Sequence, residues 1–266
     1  MVESAARQKP LRSAVARASR PLRSQAGNLR HQTIKNFSED FFTGEGVHQG
    51  SQITGAILAG GRGRRLGRDK ATLTLEGRPL AGWVAAALQP VVADFWFITN
   101  TPEAHAGLGL PLLMDLVPYQ GALGGLETAL FFARTPFVLA VAVDTPLVSP
   151  TLLTSLRAMA PGLSRPALVC ETPRGLQPFP GLYAVRLLPK LREFLQTDRR
   201  LRVFVEQCRP QIVSPADTAR RDPAGLSFLN VNTPSDLEQV RQQVASGRSH
   251  ISLRSDDGKS AWADPE

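Results

Sequence analysis

Residues 137–143 read Phe-Val-Leu-Ala-Val-Ala-Val, and Asp144 follows at once. A run this long without polar alternation cannot line a half-solvated strand, whose side chains would alternate with period 2. It suits a central parallel strand covered on both faces by helices. Such a strand obliges the rest of the chain to supply the covering layers, and the flanking sequence does alternate strand-like with helical runs. Strands are expected at Ile53–Leu58, Phe95–Thr99, Pro111–Met114, Ala167–Cys170, Gly181–Val185 and Phe228–Val231. Helical spacing occurs at Pro79–Val92, Leu123–Ala133, Pro150–Met159, Arg186–Leu195 and Val203–Gln207. A last helix starts near Pro234, with Thr233 as its N-cap, and runs to about Val244. The order predicts an α/β fold: a Rossmann-like, doubly wound, mostly parallel sheet with helices on both faces.

Ligands of such sheets sit in the crevice beyond the carboxyl ends of the strands. That rule singles out Leu58, Ala59, Gly60, Gly61, Thr99, Asn100, Asp115, Asp144 and Asn230 to Asn232. The first group opens the segment at 57–70, Ile-Leu-Ala-Gly-Gly-Arg-Gly-Arg-Arg-Leu-Gly-Arg-Asp-Lys. Glycines in a turn after a buried strand let backbone N–H groups approach an anion without Cβ obstruction. Arg62, Arg64, Arg65, Arg68 and Lys70 add cationic donors around the same turn. The combination suits a polyphosphate, although the spacing matches neither the dinucleotide fingerprint nor a P-loop. Asp144 would project into the crevice opposite. Mg²⁺ favours one or two carboxylates plus phosphates and water, so Asp144 is the natural ligand; capping the next turn is the alternative role.

Charge is distributed unevenly. Residues 1–36 hold eight basic residues against the single acid Glu3, so this segment carries +7 of the chain's +8. The rest is near neutral and offers no basic face for specific nucleic-acid binding. The N-terminal segment has no apolar h-region. Rich in Arg and Ser, it has the composition either of an organellar transit peptide or of an upstream-extended start. Residues 1–50 are expected to be a disordered basic extension and linker, 51–246 the folded α/β domain, and 247–266 a disordered polar tail. No apolar stretch approaches 18 residues, so no membrane span is expected. Cys170 and Cys208 are the only cysteines and lack metal-ligand spacing, which favours a reducing, cytoplasmic setting without disulfides or zinc.

The segments ILAGGRGRRLGRDKATLTLEGRPL, Met114-Asp115, GALGGLETAL at 121–130, VAVDTPLV at 141–148 and NVNTPSDL at 230–237 occur together and in order. In this the chain resembles the molybdenum cofactor guanylyltransferase family, nucleotidyltransferases of the nucleotide-diphospho-sugar transferase fold. The Leu-Ala-Gly-Gly start, the Asp69-Lys70 close and the late Asn-Val-Asn-Thr-Pro favour the guanylyl branch over the cytidylyl one. The resemblance implies Mg²⁺-dependent transfer of GMP from GTP to the terminal phosphate of molybdopterin, with release of pyrophosphate. It assigns main-chain nucleotide contacts to Leu58, Ala59, Gly60 and Gly61. Phosphate neutralisation falls to Lys70 with Arg64, nucleotide contact to Asn100 and Asp115, and the metal to Asp144. Gly124 and Gly125 correspond to a loop near the base, where Ala122 stands in place of a common Pro. Asn230, Asn232 and the basic stretch containing Arg202 fall on the pterin-phosphate side, and Asn232 could also help the metal.

The implied partners are GTP and molybdopterin, with other cofactor-biosynthesis proteins or molybdoenzyme chaperones, but no nucleic acid and no membrane. A phosphate nucleophile needs no general base, in keeping with the lack of a Ser/His/Asp arrangement near the glycines. Two other readings stay open: a cytidylyl or sugar-1-phosphate transferase on the same loop, and a non-catalytic nucleotide or cofactor carrier.

Overall fold

The structure, a computed structural model, describes residues 53–59 and 69–247. The expectations for residues 1–50, for Gly60, Gly61 and Arg64, and for the tail after residue 247 lie outside the described residues. In chain order the elements are β1 (Thr54–Leu58), β2 (Thr74–Leu75), β3 (Arg78–Pro79), α1 (Leu80–Leu88), β4 (Asp94–Thr99), α2 (Pro102–His105), β5 (Leu112–Met114), α3 (Gly121–Phe132) and β6 (Phe137–Ala142). There follow α4 (Pro150–Ala158), β7 (Ala167–Thr172), β8 (Gly175–Ala184), α5 (Leu188–Leu195), α6 (Leu201–Gln207), β9 (Gln211–Val213), α7 (Pro215–Arg221) and α8 (Pro234–Ala245).

Seven strands form one sheet in the order β5-β4-β1-β6-β8-β7-β9. The apolar run at 137–142 is central, as its unbroken hydrophobicity requires, and pairs in parallel with β1. β1 in turn pairs in parallel with β4, and β4 with β5. Side chains of β1 alternate between two cores. Ile57 packs with Val84, Phe97, Val141, Leu152 and Leu156 on the face covered by α1 and α4. Ala56 and Leu58 pack with Ile98, Leu123, Leu126, Ala140 and Tyr183 on the opposite face, under α3. At Gly55 a Cβ would meet the Phe95 Cβ at 2.7 Å and the Leu88 Cδ2 at 3.0 Å, so β1, β4 and α1 approach as closely as they do only over a glycine.

Three expectations need correction. The strand expected at Gly181–Val185 is the end of the longer β8, which runs antiparallel to β6 and β7. Its polar start, Gly-Leu-Gln-Pro, hides a strand from any reading by apolar runs. Residues 228–231 form no strand; their apolar side chains Phe228, Leu229 and Val231 pack on core clusters from an irregular segment. Third, Gly124 and Gly125 lie in the helix α3 rather than in a loop. β9 and α7 were not anticipated from the sequence. Thr233 does cap α8, in a reciprocal capping box with Asp236. No helix among the described residues is long and apolar enough to cross a membrane.

Candidate active site

Register brings the strand ends level. Leu58 is paired with both Ile98 and Ala142, and Thr99 with Met114. The residues that follow each strand, Ala59, Asn100, Asp115 and Asp144, therefore emerge at one edge of the sheet. Main-chain bonds hold this edge: Ala59 N–H donates to Ile98 O at 2.9 Å, Val143 N–H to Leu58 O at 3.1 Å and Asp115 N–H to Thr99 O at 3.2 Å. Because β8 runs antiparallel, with Gly181 opposite Ala140, its first residues pass the carboxyl end of β6. Gln177, Pro178 and Phe179 thus join Leu58, Ala59, Lys70 and Asp144 around a cavity of about 330 Å³.

Lys70 opens a short 3₁₀ turn, Lys70–Thr72, capped by the Asp69 side chain, which accepts from Ala71 N–H. Its ammonium donates to Asp144 Oδ2 at 2.9 Å and to Asn232 Oδ1 at 2.5 Å. The first contact is a charge-assisted pair whose two side chains are each about one-fifth exposed, at 21% and 23%. An ammonium carries three donors, so one N–H is left over for an anion in the cavity. Asn232 is aimed by its own neighbours. Its N–H donates to Asp236 Oδ2, and Val231 N–H donates to the Asp144 carbonyl at 2.8 Å. That main-chain bond fastens the segment before α8 to the end of β6. Hydrogen bonds led by the Asn232 N–H hold the Asp236 carboxyl below the usual carboxylate range.

Asp115 differs from the other carboxylates. It is 2% exposed, and among the described residues neither of its oxygens meets a donor at full hydrogen-bond geometry. Burial pushes its pKa up to about 6; the nearby Asn100 side chain offsets part of the rise and Glu127 adds to it. Helix α3 can come this close because of Gly125. A Cβ there would sit 3.3 Å from Leu58 Cδ2 and 3.7 Å from Asp115 Oδ1. Asn100 uses its side-chain oxygen to accept from Tyr119 N–H at 3.0 Å, holding the chain that leaves Asp115. Glu127, itself buried, accepts from Arg192 Nε at 2.8 Å.

Lys70, Asp144 and Asn232 are in direct contact, and Leu58, Ala59 and Asn230 line the same cavity. Asn100, Asp115 and Gly124 do not line this cavity; they stand after β4, after β5 and in α3. Arg202 does not line the cavity: it is 56% exposed, pairs with Glu206 at 3.4 Å and lies against the Gly175 turn. Thr145, Gln177, Phe179, Leu201 and Phe228 line the cavity without being singled out by the sequence, and so does Asp69, which the sequence marks only as the close of the glycine segment. Of these, only Asp69, next to Lys70, carried a local signal; the β8 residues could be found only through the antiparallel pairing. Gln177, Phe228 and Asn230 also border a neighbouring cavity of about 600 Å³, which extends to Arg174, Thr218 and Gln243. Among the described residues no group of three or more His, Cys, Asp or Glu could by itself hold a metal.

Comparison with known proteins gives the same picture. Residues 55–212 match the family model of the MobA-like NTP transferase domain. A molybdenum cofactor guanylyltransferase of Cereibacter sphaeroides is 37% identical over 71% of this chain and 95% of its own length. One from Vibrio cholerae is 32% identical over 72% of this chain and 92% of its own. Among solved structures, the molybdopterin-guanine dinucleotide biosynthesis protein A from Archaeoglobus fulgidus superposes with a TM-score of 0.62 at 26% identity, over 73% of this chain and all of that one. The 2-C-methyl-D-erythritol 4-phosphate cytidylyltransferase from Thermus thermophilus shares the fold at a TM-score of 0.53 and 21% identity, over 73% of this chain and 99% of its own.

Proposed function

The chain belongs to the MobA-like NTP transferase family and is a nucleotidyltransferase, and from that premise we propose that it transfers GMP from GTP to the terminal phosphate of molybdopterin. The products are the guanine dinucleotide cofactor and pyrophosphate. The observation that carries the reading is the contact of Lys70 with both Asp144 and Asn232 at the carboxyl edge of β1 and β6. It concentrates one mobile cation and one anion where a triphosphate would lie.

The donor set fits Mg²⁺. Asp144 offers a hard, partly exposed carboxylate at the cavity wall, and without a multi-ligand cage the ion would take its other ligands from substrate phosphates and water. Asp144 would hold it, with the Asn232 side-chain oxygen in reach of the same cluster. The ion, when bound, supplies charge neutralisation at the phosphates. Lys70 then has an alternative anion, and its ammonium turns from Asp144 toward the phosphates of the nucleotide. Asp115, at the end of β5, accepts hydrogen bonds from the nucleoside as a carboxylate, and a bound donor replaces the partners it lacks. The acceptor phosphate reaches the cavity past Gln177, Phe228 and Asn230, with the pterin in the larger neighbouring cavity. A phosphate monoester dianion is itself the nucleophile, so the chain's contribution is in-line positioning and electrostatic stabilisation rather than base catalysis.

Incubation with molybdopterin and each NTP in Mg²⁺, following dinucleotide and pyrophosphate, tests the proposal. Formation with GTP and not with CTP supports it. Preference for CTP, or for a sugar 1-phosphate as acceptor, would move the chain to the sister reactions, and nucleotide binding without turnover would make it a carrier. A cytoplasmic location belongs to the same proposal.

A further inference from the structure

We propose that His105 is a positioning residue that locks the Asp69–Lys70 turn onto the end of β4, and so sets where the Lys70 ammonium stands. The inference rests on the nucleotidyl-transfer reading for its kinetic consequence and on the hydrogen-bond geometry alone for its structural one.

His105 ends α2, is 1% exposed, and packs edge-on to Phe97 with ring centroids 5.2 Å apart. Both ring nitrogens are committed. Nδ1 lies 2.9 Å from Thr99 Oγ1, and Nε2 lies 3.0 Å from Asp69 Oδ2. The tautomer follows from the partners. A carboxylate oxygen can only accept, so Nε2 carries the proton and donates it. In that tautomer Nδ1 is the acceptor, and the Thr99 hydroxyl donates to it while accepting from Thr101 N–H at 3.1 Å. Each donor from Thr101 to Asp69 then has an acceptor.

Asp69 is the hinge of the arrangement. One carboxylate oxygen accepts from Ala71 N–H at 2.8 Å and caps the turn that Lys70 opens, while the other takes the His105 proton. The hydrogen bond from His105 holds the Asp69 carboxyl below its ordinary pKa. The last two residues of β4 therefore fix three parts of the site. Ile98 O holds Ala59, Thr99 O holds Asp115, and Thr99 Oγ1 through His105 holds Asp69. A lysine has four flexible side-chain bonds, and clamping its backbone from outside narrows where the ammonium can go.

A merely structural histidine would find its second partner in the core. This one reaches outward to a carboxylate that is 43% exposed, so water can take over the carboxylate's side of the bond when it is broken. Breaking it should thus leave the fold standing and displace Lys70, and in a positioned site a shift near 1 Å can cost up to about 100-fold.

The test separates the two ring nitrogens. In His105→Gln the side-chain amide can reach the place of Nε2 and keep the bond to Asp69; in His105→Asn it matches Nδ1 and loses it. We expect H105N and Asp69→Ala each to lower kcat/KM for the nucleotide about tenfold, the double variant to be no worse than either, and H105Q to recover to within about threefold of wild type. Melting temperatures should stay within a few degrees. Ring ¹⁵N spectra of the wild type should show an Nε2–H neutral imidazole for His105, perturbed in Asp69→Ala. Multiplicative losses, an active H105N, or an Nδ1–H ring would each overturn the proposal. If H105N fails to fold, Asp69→Ala and the ring spectra decide alone. The kinetic set is read with whichever nucleotide the wild type uses, so a wrong base assignment leaves it interpretable.

Discussion

Asp115→Asn should make the protein more stable at neutral pH and less able to hold its nucleotide. Asp115 is 2% exposed, among the described residues neither carboxylate oxygen meets a donor at full hydrogen-bond geometry, and burial raises its pKa from 3.8 to about 6. Between those values the folded state binds the proton more tightly than the unfolded chain. Stability contributed by this group is therefore fully present below about pH 4 and is lost as pH rises to about 6. Two pKa units correspond to about 3 kcal/mol at 1.36 kcal/mol per unit. Asparagine is isosteric and never ionises, so the variant should track the wild type at pH 4 and exceed it by about 2–3 kcal/mol at pH 7.5. For a domain of this size that is a gap in Tm of roughly 4–12 °C. Thermal unfolding of both proteins from pH 4 to 8 measures it, and the difference cancels every carboxylate the substitution leaves alone. Equilibrium binding of Mg-GTP at pH 7.5 should move the opposite way, because an amide presents donors where the carboxylate presented only acceptors. A stability difference that does not change between pH 4 and 7 would show that Asp115 is not desolvated as described. Stabilisation with unchanged GTP affinity would remove it from the nucleotide site.

Asp144→Asn should keep the fold and lower transfer at least 10²–10³-fold, roughly what the loss of one transition-state electrostatic contact costs; a purified variant above about a tenth of the wild-type rate would refute its place at the metal. Lys70→Ala should raise KM for GTP and lower kcat together, since the ammonium serves both bound and reacting phosphates, and steady-state kinetics with both parameters intact would return it to a surface lysine. Gly55→Ala should cost about 1–3 kcal/mol, the usual range for an overpacked core, because the new methyl would meet Phe95 Cβ at 2.7 Å in the centre of the sheet; urea unfolding with an unchanged midpoint would mean that β1 and β4 can separate freely.

What could be read in advance was local. The unbroken run at 137–142, Ile53 to Leu58 and the Thr233 cap each carry their structural instruction in neighbouring residues, and each stands as expected. Parallel strands buried on both faces further imply that the residues after them share one edge, which is why Ala59 and Asp144 could be nominated without coordinates. Lys70 and Asp144 were nominated for the same site through the glycine segment and the family resemblance. Their contact with Asn232, 162 positions from Lys70, was not legible, because nothing local encodes a distance across the sheet.

The rest was decided by packing. β8 turns back from β7 at residues 173–174 and pairs with β6 along the edge that β1 leaves open, and that placement carried Gln177 and Phe179 to the cavity. The segment at 228–231 has the composition of a strand but joins no ladder; its apolar side chains are buried against the core clusters instead. The resemblance puts Gly124 and Gly125 in a loop, against the helical spacing of Leu123–Ala133; the structure sides with the spacing, and at Gly125 the helix approaches Leu58 and Asp115. Burial is likewise a property of the assembled chain. The sequence by itself determined the layers, the central strands and the strand-end residues, because hydrophobic period and turn chemistry act between near neighbours. Only the tertiary structure decided the place of the added strand beside β6, the burial of Asp115 and the bonds from His105 to Asp69 and Thr99. Those depend on contacts between segments whose separation along the chain says nothing of their distance in space.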